Sequence, residues 1–144
     1  MDCDPSDRQA AHRATELSHS YSLFAPGDAT APKVCRDFVR SVLLTLGHGQ
    51  LVAAACLCTS ELVTNVHLHT KGEAMMRLLV RPLLVRVSVF DESPALPVLR
   101  PLGQVECYGR GLTLVAETAD RWGVAENRAG RHAKGVWFEL AGGR

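Results

Sequence analysis

The sequence carries almost no net charge. Sixteen Lys and Arg offset fifteen Asp and Glu, leaving +1 with histidine neutral and a pI near 7.7. A nucleic-acid-binding domain is usually strongly basic, so no direct nucleic-acid partner is expected. Long hydrophobic runs are also missing. The longest, Leu51–Cys58, falls far short of the roughly 20 apolar residues of a membrane-spanning helix. The first ten residues, MDCDPSDRQA, are polar and lack the apolar centre of a signal peptide. The expectation is a soluble, cytoplasmic protein with no membrane attachment. Internal repeats and low-complexity tracts are absent as well.

Cysteine is sparse and odd in number: Cys3, Cys35, Cys56, Cys58 and Cys107. Without a secretion signal, five cysteines argue against a disulfide framework. Cys56 and Cys58 have the wrong spacing for a zinc knuckle and no second pair to match. In an apolar segment they read as small core residues.

What the chain does have is apolar material, 47% of 144 residues, enough for one compact domain. Residues 1–16 are polar and aperiodic and read as a disordered leader, followed by a single domain over 17–144. Leu17–Phe24 alternates like an edge strand. Ala25-Pro26-Gly27-Asp28 is a turn cluster. Val34, Phe38, Val39, Val42 and Leu46 recur at helical spacing within 29–46, and Gly47-His48-Gly49 stops that helix. A second helix is expected over about 50–69, apolar on all sides at first and polar from Ser60 onward. Ala74–Val80 and Leu83–Phe90 read as a hairpin split by Arg81-Pro82. The 92–109 segment, rich in Pro and Gly, has the length of a functional lid. A short helix over 111–119 and strands over 121–126 and 135–140 close the chain. The fold class is α+β, a two-layer sandwich with helices on one face of a mixed, mostly antiparallel sheet.

Three groups of residues could carry chemistry. Glu61, Asn65 and His69 fall at i, i+4 and i+8 and so share one helix face. A carboxylate can accept a proton, and an Asn carbonyl is a hard oxygen suited to Mg²⁺. The plain alternative is an ordinary polar helix face. Asp91, Glu92, Ser93 and Pro94 follow an apolar strand. An acid there could accept a hydrogen bond from an exocyclic amine, or simply start an Asp/Ser/Pro turn. Gly109, Arg110, Gly111 and Leu112 stand just before the third helix. Glycines there let backbone N–H groups approach phosphate, and Arg110 adds a phosphate partner. His67, two residues from Asn65, lies off that face and reads as a groove or solvent histidine. Trp122 and Trp137 read as packing residues.

Taken in order, these segments resemble the GHKL or Bergerat-fold ATP-binding domain. The likeness is closest to the small anti-sigma-factor serine/threonine kinases of actinobacterial type. It rests on E-L-V-T-N-x-x-x-H (Glu61–His69), D-x-S-P (Asp91–Pro94), G-R-G-L (Gly109–Leu112), A-D-R-W-G (Ala119–Gly123) and V-W-F-E-L (Val136–Leu140), and spans about 29–140. The resemblance implies a Bergerat fold and Mg·ATP as cofactor, with Asn65 as the Mg²⁺ ligand and Asp91 reading the adenine amine. Gly109 and Gly111 would cradle phosphates under the lid, with His69, Ser93, Arg110 and Leu112 completing the nucleotide site. Glu61 would be the general base, taking a serine proton from an antagonist protein while the kinase also binds a sigma factor. Relatives often pair as dimers through the sheet edge or the first helices. Two departures stand out. Ser93-Pro94-Ala95 has no glycine-rich turn, and Leu68 replaces the basic residue that relatives often place before the helix histidine. The alternative function is a regulatory module of the same fold that holds ATP, or only a protein partner, without catalysis.

Overall fold

A computed structural model describes residues 18–70, 72–91, 107–126 and 134–142. The chain forms β1 (His19–Ala25), α1 (Ala31–Thr45), a 3₁₀ turn (Gly49–Leu51), α2 (Val52–His69), β2 (Ala74–Arg81), β3 (Leu84–Asp91), α3 (Cys107–Thr118), β4 (Arg121–Glu126) and β5 (Lys134–Ala141). The described residues are α+β, with five antiparallel strands in the order β1-β2-β3-β5-β4 and three helices. The expectation of a mixed sheet is corrected. The β2–β3 and β4–β5 pairs are each consecutive in sequence, and β5 inserts between β3 and β4 antiparallel to both. The expected leader, residues 92–106 of the expected lid with Ser93, and the polar turn before β5 lie outside the described residues, and 107–109 of that lid are helical instead.

The strands alternate as their sequence dictates. In β3, Val85, Val87 and Val89 face the helices and are buried, and β5 adds Val136, Phe138 and Leu140 to the same core. Phe138 is fully buried. A one-residue slip of register would move each of these sets to the other face. The helices lay Ala31, Cys35, Val39 and Leu43 of α1 on this core, with Ala55, Cys58, Leu62, Val63 and Val66 of α2 and Leu112 and Val115 of α3. Tyr21 and Phe38 meet edge-to-face at 5.9 Å and join β1 to α1.

Helix α1 begins after Asp28, whose carboxylate accepts the Thr30 N–H at 2.8 Å and the Thr30 hydroxyl. These bonds, the hydroxyl one first, hold the Asp28 carboxyl below its usual range. Pro32 sits in the first turn, where its missing N–H is harmless. The helix ends in a Schellman motif: His48 N–H bonds Leu43 O at 2.8 Å and Gly47 N–H bonds Leu44 O at 3.3 Å. That geometry requires the left-handed backbone that Gly47 adopts, φ 82°.

The first half of helix α2 is apolar all round because this is the middle helix, contacting α1, α3 and the sheet. By length and composition alone, Gly49–Leu68 would pass as a membrane span, although no single apolar run in it is long. Its packing on three sides accounts for that composition. Cys35, Cys56 and Cys58 are free and buried, as core residues. Burial pushes the Cys35 and Cys58 thiols up to about 11, with the nearby Glu61 charge adding to the effect at Cys58.

Candidate functional site

Where α2, α3 and the ends of β3 and β5 converge, a small pocket opens to solvent. Helix α2 supplies Leu62, Asn65 and Val66, at the i, i+3, i+4 spacing of one face. Strand β3 gives Val89 and Asp91, α3 gives Leu112, and β5 gives Gly135 and Val136. Asp91 reaches this pocket by strand alternation: it continues the inward set Val85, Val87 and Val89 as the chain leaves the sheet. It stands in register with Lys134.

Asn65 is the chemically loaded member. It is only 4% exposed, yet neither its Oδ1 nor its Nδ2 has a hydrogen-bond partner. Leaving a buried polar group unsatisfied costs about 1–3 kcal/mol, and such groups in native structures usually answer to water or an ion. Three other buried polar atoms are unsatisfied among the described residues: His48 Nδ1, Thr59 Oγ1 and His67 Nδ1. None of those three residues lines this pocket. The Asn65 carbonyl is a hard oxygen of the kind Mg²⁺ takes, and Mg²⁺ needs few protein ligands. The donor set therefore fits that ion.

Gly135 shapes the opposite wall. A Cβ there would stand 2.5 Å from the Val89 carbonyl oxygen and 2.8 Å from Phe90 Cδ1. Only glycine lets β5 approach β3 this closely. Sequence reasoning did not single out Gly135 as a site residue, although a glycine opening a closing strand is the signal for close backbone approach. Apolar walls from Leu62, Val66, Val89, Leu112 and Val136 beside one carboxylate suit a flat heterocycle whose edge donates a hydrogen bond.

The structure thus brings Asn65, Asp91 and Leu112 together. Glu61 lies one helical turn before Asn65, half-buried, and does not line the pocket. The turn expected at Gly109–Gly111 is corrected: both glycines and Arg110 lie within α3, which starts at Cys107. The helix tolerates two glycines because Leu112 and Val115 anchor it in the core, offsetting a propensity cost of about 1 kcal/mol per glycine. The side chains of His69 and Arg110 lie outside the described residues. His67 is half-buried and away from the pocket. No group of three or more His, Cys, Asp or Glu suited to a metal occurs among the described residues.

No protein-family model matches the chain, and a search of curated proteins returns no match.

Proposed function

We infer that the chain binds Mg·ATP in this pocket, on a Bergerat-type fold, and acts as an anti-sigma-factor-type serine/threonine protein kinase. The observation that carries the reading is Asn65: a buried amide with both polar atoms unsatisfied, in one pocket with Asp91. Asn65 Oδ1 would hold the ion. Asp91 would accept the adenine amine, with Val89, Val136 and Leu112 against the ring. The first four N–H groups of any α-helix lack intrahelical partners, so the start of α3, Cys107–Arg110, retains donors for phosphate. Phosphoryl transfer needs mainly positioning and charge neutralisation, and the bound Mg²⁺ would supply the latter.

Catalysis rests on a different residue from binding. Glu61 is the general base in this reading, accepting the proton of a serine hydroxyl on an antagonist protein. A sigma factor is the second partner. The placement of Glu61 outside the pocket wall leaves it free to face a bound protein. The same placement supports the second reading, a regulatory module that holds nucleotide without transferring phosphate.

Transfer of label from [γ-³²P]ATP to candidate antagonist proteins separates the two. The kinase reading expects transfer by the native chain and loss of it in Glu61→Ala, with nucleotide binding retained. Equal transfer by Glu61→Ala would remove Glu61 from the mechanism. Binding without transfer by either protein would establish the regulatory module.

A further inference from the structure

The face of the sheet turned away from the helices takes no part in the pocket chemistry. Register places Arg86, Glu139 and Arg121 in one row across the strands and Arg77, Ser88 and Trp137 in the next, with Arg81 ending the β2 column. Four arginines thus share this face with one glutamate, on a chain whose whole net charge is only +1. Glu139 is buried and already paired with Arg86 at 3.2 Å. Asp120, at the rim, accepts the Ala141 N–H at 2.7 Å. Arg77, Arg81 and Arg121 are exposed, and the side chains of the latter two make no ion pair or hydrogen bond with the described residues.

The Trp137 and Phe90 rings on this face are already covered. The Arg86 guanidinium lies 4.2 Å from the Trp137 ring centroid, and the Gly123 backbone presses on the same indole, leaving 2.8 Å to where a Cβ would stand. Arg77 lies over Phe90 at 5.9 Å, and Phe90 is buried. A single-stranded nucleic acid would need a run of exposed ring faces on which to stack successive bases, and the only exposed ring among the described residues of this face is Phe24, at the β1 edge. Guanidinium edges remain, and these match carboxylates in a bidentate fork.

The spread of charge fixes the size of the ligand. Arg77 and Arg81 are four residues apart on one strand, about 13 Å, and β2 and β4 are three strand spacings apart, about 14 Å. One small anion cannot span that area, whereas an extended acidic chain can. We propose that this face docks an acidic polypeptide segment of a partner protein, its carboxylates engaging Arg77, Arg81 and Arg121. The surface is independent of the nucleotide pocket, which lies on the helix side of the sheet.

A labelled oligoglutamate peptide, titrated against the full chain at low and high salt, tests the assignment. The wild type should bind it at low salt and lose affinity as salt screens the contacts. The triple variant Arg77→Glu/Arg81→Glu/Arg121→Glu should bind roughly ten- to a hundredfold more weakly, with its melting temperature unchanged. Should the triple variant fail to fold, Arg81→Glu and Arg121→Glu made singly should each weaken binding severalfold. Undiminished binding by the variants would overturn the proposal. So would tighter binding of an oligodeoxythymidylate than of the peptide, or a wild-type dimer that the variants dissolve.

Discussion

Strand β3 shows both faces of the sheet in eight residues. Val85, Val87 and Val89 turn inward, fully or almost fully buried against the helices, whereas Arg86 and Ser88 turn to the other side. On the inner face nearly every polar atom is excluded, so the one amide that remains at the pocket, Asn65, stands out. On the outer face polar atoms are plentiful and mostly satisfied: Arg86 is held by Trp137 and Glu139, and Asp120 by a backbone N–H. The same alternation therefore generates two surfaces with different chemistry. A small apolar pocket with an unsatisfied amide suits a small ligand, and a broad basic face suits an extended acidic one.

If the inner face holds the fold together, its largest side chains should be the costliest to remove. Phe138→Ala should destabilise by about 3–5 kcal/mol, read from a urea or thermal melt. A loss under 1 kcal/mol would mean the core closes around the gap. The β3–β5 junction comes next. Gly135→Ala should cost about 1–3 kcal/mol because the new methyl meets the Val89 carbonyl; an unchanged denaturation midpoint would show that the strands can part without penalty. The buried thiols give a smaller effect that depends on pH. Cys35 and Cys58 are raised from 9.0 to about 11 in the folded chain. The unfolded chain ionises first, so stability is intact below pH 9 and falls between 9 and 11, on the order of 1 kcal/mol per thiol one unit above pH 9. Cys58→Ala should flatten that decline, and an equal slope in the variant would contradict it. The outer face supplies the smallest effect: Arg77→Ala should stay within about 0.5 kcal/mol. A larger loss there would break the contrast between the two faces.

The strands and two of the helices were legible in the sequence because their patterns are regular. The split at Arg81-Pro82 marked the β2–β3 hairpin to within a residue, and Gly47 marked the end of α1 because the Schellman turn demands it. The start of α3 was misplaced by a turn. Gly109 and Gly111 read as a turn opening the helix, but core burial of Leu112 and Val115 carries the helix through them. Strand order could not be read, since the insertion of β5 between β3 and β4 is a long-range choice that no local pattern encodes. The meeting of Asn65 with Asp91 followed from helix and strand periodicity once the layers were known. Gly135 escaped because its role lies in a contact across strands. The outer arginines escaped because their charges are scattered in sequence over β2, β3 and β4 and cancel in the chain's total.

The most direct test is the melting temperature of the native chain and of Asn65→Ala, each with and without millimolar Mg·ATP. A ligand at one hundred times its Kd stabilises the folded state by about 2.7 kcal/mol, which a thermal scan resolves readily. The account predicts a clear rise for the native chain and little or none for Asn65→Ala. No rise in the native chain, or the same rise in both, would contradict it.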